Sequence, residues 1–442
     1  MQLQYVLFTK HSFKDTTTTT MKNLYRRSFV KQLFTGVSGA LLLSSYKSND
    51  PQNLKINLKV DDNSEAFWES VKAQFKFAPN LRYFNNGSLG SCPLSVQNDT
   101  NAYRATLDAF PSKYMWGGWN DEKEAVRQKV ADLFSVSNEE IALTHNTTEG
   151  MNLIAKSFDL APGDEVILIN HEHKSSVIPW TVFQAEKGVI LVRPVIPILP
   201  KTVEEIVAIY EAAITPKTKV ISMCHSINTN GMVLPVKEVS EMAHKKGILV
   251  AVDGAQAAGM FDINLKELKC DFYAVSAHKW LFAPKGIAVF YAKKSSQNYL
   301  KPLIVAKGYK DQSIRRLENY NTRNLPELLG LGSAIDFINN IGKEKISNRS
   351  YALKHYFREQ INAIPKLNLK TPEDDRLSCA IQTLEVVGKN VVSVQKELID
   401  YYGIDTRPMS AYELNGVRIS FAIFITKKDI DYLVDALKTI AG

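Results

Sequence analysis

Ile248-Leu249-Val250-Ala251-Val252-Asp253-Gly254-Ala255-Gln256 and Phe272-Tyr273-Ala274-Val275-Ser276-Ala277-His278-Lys279-Trp280 share one pattern: an apolar run that turns polar only at its C-terminal end. Short, uninterrupted apolar runs rich in β-branched and aromatic residues read as strands buried on both faces. In an open parallel sheet the ligand sits off the carboxyl ends of the strands, so the two polar tails are where chemistry is to be sought. Outward from this pair, similar runs occupy 141–144, 165–169, 189–192, 219–224 and 287–291. Stretches with helical spacing, such as 147–158 and 236–246, separate them, and Pro162-Gly163-Asp164 and Pro284-Lys285-Gly286 punctuate the series. This alternation predicts an α/β fold over 81–325, a mostly parallel sheet covered by helices. From Pro326 the pattern changes to a long helical stretch, a β-like run at 380–387, a further helix and a final strand at 417–424. A smaller C-terminal α+β domain over 326–442 is therefore expected. Residues 51–80 read as a linker and an amphipathic N-terminal segment around Phe67 and Trp68.

The 442 residues are 45% hydrophobic and 23% charged, which excludes a disordered, collagenous or disulfide-stapled chain. The net charge of +8 raises nucleic acid as a partner. Residues 1–50, however, hold Lys10, Lys14, Lys22, Arg26, Arg27, Lys31 and Lys47 against Asp15 and Asp50, a local balance of +5 that leaves only +3 elsewhere. No basic stripe interleaved with aromatics is present, so nucleic acid is not expected. The leader itself, Arg26-Arg27-Ser28-Phe29-Val30-Lys31 followed by the uncharged run 33–43, resembles a twin-arginine export signal. That predicts passage through the twin-arginine machinery to the periplasm, with a membrane tether if the leader stays uncleaved. The rival is an accidental basic tail on a cytoplasmic protein. The run is too short for an ordinary membrane span. Residues 1–20 read as an upstream extension, with Met21 as a second possible start. Cys92, Cys224, Cys270 and Cys379 are scattered without a CxxC, and neither GxGxxG nor GxxxxGK[ST] occurs. A zinc ribbon, a redox dithiol and the usual nucleotide cradles are thus unsupported.

Four strand ends carry the polar residues: His145-Asn146-Thr147-Thr148-Glu149-Gly150, Glu172-His173-Lys174-Ser175-Ser176, Asp253-Gly254-Ala255-Gln256 and Ser276-Ala277-His278-Lys279. The first opens a helix with hydroxyls and free N–H groups, a phosphate cradle. A lysine beside hydroxyl and imidazole donors suits a Schiff base with a carbonyl cofactor. An Asp on a neighbouring strand suits a protonated pyridine nitrogen, and a ring on a third strand would stack on the cofactor face. The constellation reads as a pyridoxal-phosphate site.

At these residues the chain resembles the class V aminotransferases, fold-type-I pyridoxal-phosphate enzymes with isopenicillin-N epimerase-like and cysteine desulfurase-like branches. The resemblance runs from about Tyr83 to Phe424. It implies that Lys279 forms the Schiff base and moves the α-proton, that Asp253 pairs with the ring nitrogen, and that Gln256 meets the ring hydroxyl. It further implies Thr148, Ser276 and His278 on the phosphate, His173 stacked on the ring and Asn228 near the ring hydroxyl. Arg418, in Gly416-Val417-Arg418-Ile419-Ser420, matches the arginine that clamps the substrate carboxylate. Thr322, in Tyr320-Asn321-Thr322-Arg323, matches a threonine that reaches the neighbouring subunit's phosphate, implying a homodimer with shared sites.

Each assignment has a plainer rival. Lys279 alone would be a surface charge, Asp253 a turn residue, Arg418 a structural ion pair and Thr322 ordinary turn chemistry. His171 and His173 would make a metal pair, but no third ligand is evident, so no metal is expected. Tyr114, Trp116 and Trp119 would line a substrate entrance or simply pack as core aromatics.

The reaction is expected at the α-carbon of an amino acid or a derivative of one, by transamination or epimerisation. Desulfurases place a nucleophilic cysteine shortly before the carboxylate-binding arginine, whereas the sequence here is Gly403-Ile404-Asp405-Thr406-Arg407-Pro408-Met409-Ser410. Cys379, upstream, falls in what reads as a buried strand. Phe84-Asn85-Asn86-Gly87-Ser88-Leu89-Gly90 resembles the epimerase-like branch, while His173 is the desulfurase-type stacking residue. C–S or C–N lysis is the alternative. A pyridoxal-fold protein that binds without turnover would have lost Lys279 or Asp253, and both are present.

Overall fold

The computed structural model describes residues 63–411 and 414–442. The leader, its export signal and the start of the 51–80 segment lie outside the described residues. The first described helix, Glu65–Lys72, is capped by Ser64 and buries Phe67, Trp68 and Val71. The amphipathic spacing around these residues required such a helix. Among the described residues thirteen strands follow in chain order. They are β1 (Arg82–Tyr83), β2 (Ile141–Thr144), β3 (Glu165–Ile167), β4 (Ile190–Val192), β5 (Thr218–Cys224), β6 (Leu249–Asp253), β7 (Phe272–Ser276) and β8 (Ala288–Ala292), then β9 (Leu367–Leu369), β10 (Ile381–Val386), β11 (Ile404–Asp405), β12 (Arg407–Met409) and β13 (Gly416–Ser420).

Seven of them form one sheet in the order β2-β8-β7-β6-β5-β3-β4. The neighbours from β7 through β4 pair parallel, and β8 runs antiparallel to both β7 and β2. The reversal has a local cause. Ala277 to Ile287 connect β7 to β8 without a helix, and a crossover to a parallel neighbour usually takes a longer, helix-bearing connection. Helices 147–157 and 174–187 pack on this sheet through Met151, Ile154, Trp180 and Phe183. Every residue of β7 and β8 is buried, which is why both read as unbroken apolar runs. Among the described residues no helix is long and apolar enough to cross a membrane.

A second sheet, β12-β13-β10-β9, is antiparallel throughout and lies in the C-terminal third. Its last strand is shorter than the expected 417–424. Ser420 ends it, and Phe424 instead turns into an aromatic cluster with Phe75, Phe77 and Tyr83. Cys379 is buried as expected but precedes β10 rather than lying in a strand, its thiol held by Gly231 O and Ser226 Oγ. β1 pairs parallel with β11, and Ser420 N–H donates to Phe84 O at 2.8 Å. The segment just after Arg82 is thereby stitched to the C-terminal sheet before it runs on toward β7. That crossing brings the site together.

Candidate active site

Lys279 follows β7 and is half-buried. Burial pushes its amine down to about 8; Asp253 opposes this, while the guanidinium groups of Arg418 and Arg407 add to it. Its backbone is fixed from the N-terminal segment: Asn86 Nδ2 donates to Lys279 O (3.4 Å) and Gly90 N–H donates to His278 O (2.9 Å). A Cβ at position 90 would stand 2.2 Å from Lys279 O, so the close approach of the two chains requires glycine there. An ammonium is no nucleophile, and the lysine becomes one as it loses its proton. Uptake of pyridoxal phosphate by the apo-protein, followed by the visible band, should therefore accelerate as pH rises, reach half its limit near pH 8 and level off above. A rate flat from pH 7 to 9.5 would contradict the assignment of that amine.

Asp253 ends β6 and is buried. Its Oδ1 accepts Ala255 N–H at 3.0 Å and its Oδ2 accepts the Ser176 hydroxyl at 2.6 Å. His173 is exposed on one side and caps the helix Lys174–Lys187, its Nδ1 accepting Ser175 N–H at 3.2 Å. Burial lowers its pKa; Asp253 pulls it up, and Lys279, Arg407 and Arg418 push it down. The charges of Asp253 and Arg418 are thus felt at both His173 and Lys279, which puts these four residues in one neighbourhood. Glu172, next door, is fully buried with Oε1 on Cys224 N–H, and burial together with the Asp253 charge pushes it up to about 8. Gln256 lies against the same end of β6, but both ends of its amide are engaged. Nε2 donates to Gly87 O (2.7 Å), and Oε1 accepts the Trp280 indole N–H (3.0 Å).

The proposed phosphate end is built by helix Thr147–Ser157, capped by Asn146, whose Oδ1 accepts Glu149 N–H at 2.9 Å. Thr147 and Ser276 share a hydroxyl hydrogen bond of 2.8 Å, and Thr148 is exposed in the first turn. His278 is pushed down to about 4 by burial and then by Lys279 and Lys285, and its Nδ1 is buried without a partner. A helix N-terminus, two hydroxyls and an orphaned imidazole nitrogen fit a phosphate. With Lys279 and Asp253 beyond them, the residues present fit pyridoxal phosphate. Thr322 is exposed, and its neighbours turn back on their own chain: Tyr320 donates to Glu149 and Arg323 Nη1 to Leu143 O.

Arg418 is buried on β13. Its Nη1 donates to Asn228 O (2.9 Å), and its Nη2 donates to Asn85 Oδ1 (3.1 Å) and Ser88 Oγ (2.6 Å). Nε is buried without a partner. Burial, reinforced by Arg407, lowers its pKa to about 9. Asn228 contributes its backbone carbonyl to this hold. Arg407 stands directly opposite Arg418 in the β12–β13 register. Asn85, Ser88, Arg407, Ser176 and Thr147 were not singled out from sequence, although all five lie inside stretches whose pattern drew attention.

Tyr114 and Trp119 pack ring to ring at 4.7 Å, and Trp119 is buried. They line a cavity with Tyr320 and Arg323 rather than with Lys279, while Trp116 is exposed. His171 is buried with its Nε2 at 2.9 Å from Ile196 O, whereas His173 is exposed. Among the described residues no group of three or more His, Cys, Asp or Glu converges on a metal position.

Residues 115–433 match the family described as Aminotransferase class-V. Isopenicillin N epimerase of Amycolatopsis lactamdurans is 28% identical over 393 residues, covering 85% of this chain and 98% of that protein. Cysteine desulfurase of Serratia proteamaculans (strain 568) is 31% identical over 344 residues, covering 72% and 82%. The apo structure of a cysteine desulfurase from Thermococcus onnurineus NA1 superposes with a TM-score of 0.75 at 23% identity, over 84% of this chain and 98% of that one, which bears on the fold. With Lys279, Asp253 and Arg418 gathered on that fold, the chain belongs to the class V aminotransferase family and is a pyridoxal-phosphate-dependent enzyme of fold type I.

Proposed function

We propose that this enzyme acts at the α-carbon of an amino acid or a close derivative, by transamination or epimerisation. The observation that carries the reading is the state of the thiols. All four cysteines are buried, and burial holds each thiol above its usual range. None lies on the strand that bears Arg407, whose charge is felt at Lys279. No thiolate is thereby poised to take sulfur from a substrate. The lysine amine near neutrality is the group suited to moving a proton.

The roles follow from the side chains. Arg418 binds the substrate carboxylate, with Nε unspent and Asn85 and Ser88 fixing its plane. Lys279 Nζ, as the free amine, would take the α-proton; reprotonation of the α-carbon from the other face by a solvent proton would epimerise the substrate, and delivery of the proton by Lys279 to the bound cofactor instead would lead to amino transfer. With pyridoxal phosphate bound, Asp253 would hold a proton on the ring nitrogen and His173 would cover the ring face. Pyridoxal phosphate, when bound, supplies the electron-withdrawing ring that makes the α-proton removable. The reading includes a homodimer, supported by the exposed Thr322 and by exposed apolar side chains at Trp116, Val305 and Tyr309 around the cavity between 114–119 and 307–311.

The test is to load the purified protein with pyridoxal phosphate, measure its mass by sedimentation, and supply amino acids in deuterated water. A dimer that incorporates α-deuterium with racemisation, or that converts the amino acid to its keto acid only when a second keto acid is added to accept the amino group, is the expected result. Sulfide or ammonia release as the dominant product would replace the reading by the lyase alternative.

A further inference from the structure

The run from Glu172 to Ser176 surrounds Asp253 with more chemistry than the proposed reaction has used. Ser176 lies in the first turn of helix Lys174–Lys187, is fully buried, and gives its hydroxyl proton to Asp253 Oδ2 at 2.6 Å, across 77 positions of sequence. Serines in a first helical turn ordinarily cap the helix or bond the backbone nearby. Here the cap is His173, which accepts Ser175 N–H, so Ser176 has no capping duty. His173 and Ser176 are three positions apart, so the proposed stacking ring and this hydroxyl sit at the same end of one helix.

The other acid in the neighbourhood supports the arrangement. Glu172 keeps Oε1 on Cys224 N–H and leaves Oε2 buried without a partner, a poor environment for a second negative charge beside Asp253. Both oxygens of Asp253, by contrast, are engaged: they receive the Ser176 O–H and the Ala255 N–H.

We infer that Ser176 is a positioning residue for Asp253: its buried hydroxyl holds the carboxylate in a single orientation for the ring nitrogen of pyridoxal phosphate. The inference rests on the reading that Asp253 meets that nitrogen. A serine that merely fills space in the apo-protein would leave the bound cofactor unaffected by its loss.

The experiment uses the full chain and two readouts besides turnover: the dissociation constant of pyridoxal phosphate by equilibrium dialysis, and the wavelength of the visible band of the loaded protein. Ser176→Ala should weaken retention about tenfold and shift the band, as expected for removing one hydrogen bond to a charged group. Ser176→Cys, which keeps the volume but donates poorly, should behave the same way, and it decides the matter if the alanine variant does not fold. Wild-type retention with an unmoved band in the folded variant overturns the inference. Asp253→Asn separates the two levels. If it also changes neither readout, the role given to Asp253 fails; if it changes both while the Ser176 variants change neither, only the inference about Ser176 falls.

Discussion

Lys279→Ala should fold and lose at least about 10³-fold in kcat, the scale set by removing both the cofactor's nucleophilic anchor and the base at the α-carbon. Folding should survive because the contacts that place this residue are made by its backbone. Asn86 donates to its carbonyl and Lys279 N–H donates to Ser276 O, and alanine keeps both. What is lost is an amine that burial holds near neutrality. Borohydride reduction of the loaded wild-type protein followed by peptide mapping should find the pyridoxyl group on Lys279, and the variant should yield none. An adduct on another lysine, or a variant within tenfold of wild-type kcat, would remove the basis for the proposed chemistry.

The second large effect is expected at Arg418. Replacing it by alanine should lower kcat/KM for an amino acid by about 10³-fold, corresponding to roughly 4 kcal/mol for a desolvated carboxylate deprived of its buried cation. Arg418→Lys should recover little, because a point charge cannot reproduce the planar fork held by Asn85, Ser88 and the Asn228 carbonyl. The substitution also removes packing from a buried strand, so stability and recognition must be separated. The measurement that does so compares an amino acid with its decarboxylated amine. Wild type should prefer the amino acid strongly, and the alanine variant should treat the two nearly alike. If the variant kept the wild-type preference, Arg418 would be a structural residue and the carboxylate would be held elsewhere, with Arg407 the next group to test.

These two residues show different degrees of legibility. Lys279 was readable because β7 is buried on every residue and the chain turns polar immediately after it. Arg418 was readable only through its flanking Gly416-Val417 and Ile419-Ser420, since an isolated arginine in a strand is as well explained by an ion pair. The residues that hold Arg418 were not readable. Asn85 and Ser88 are more than 300 positions away in sequence, and nothing local tells which cation a loop amide or hydroxyl will meet. Gln256 shows the converse case: its place at the end of β6 was evident, but its engagement with Gly87 and Trp280 depends on how the 84–90 segment crosses the sheet. The 114–119 aromatics were ambiguous for the same reason, and tertiary packing turned Tyr114 and Trp119 toward each other and toward Tyr320.

What the sequence determined by itself is the alternation of buried strands with helices, and the placement of Lys279, Asp253 and the Thr147-Thr148 turn at strand ends. A strand covered on both faces must be apolar along its whole length, so where such a run ends is a local property. Tertiary structure alone decided that β8 runs against its neighbours, that Arg407 stands opposite Arg418, and that Ser176 gives its proton to Asp253. Those pairings join segments far apart in the chain. They arise from the register of strands and the rotation of a helix on its sheet, which no run of neighbouring residues encodes.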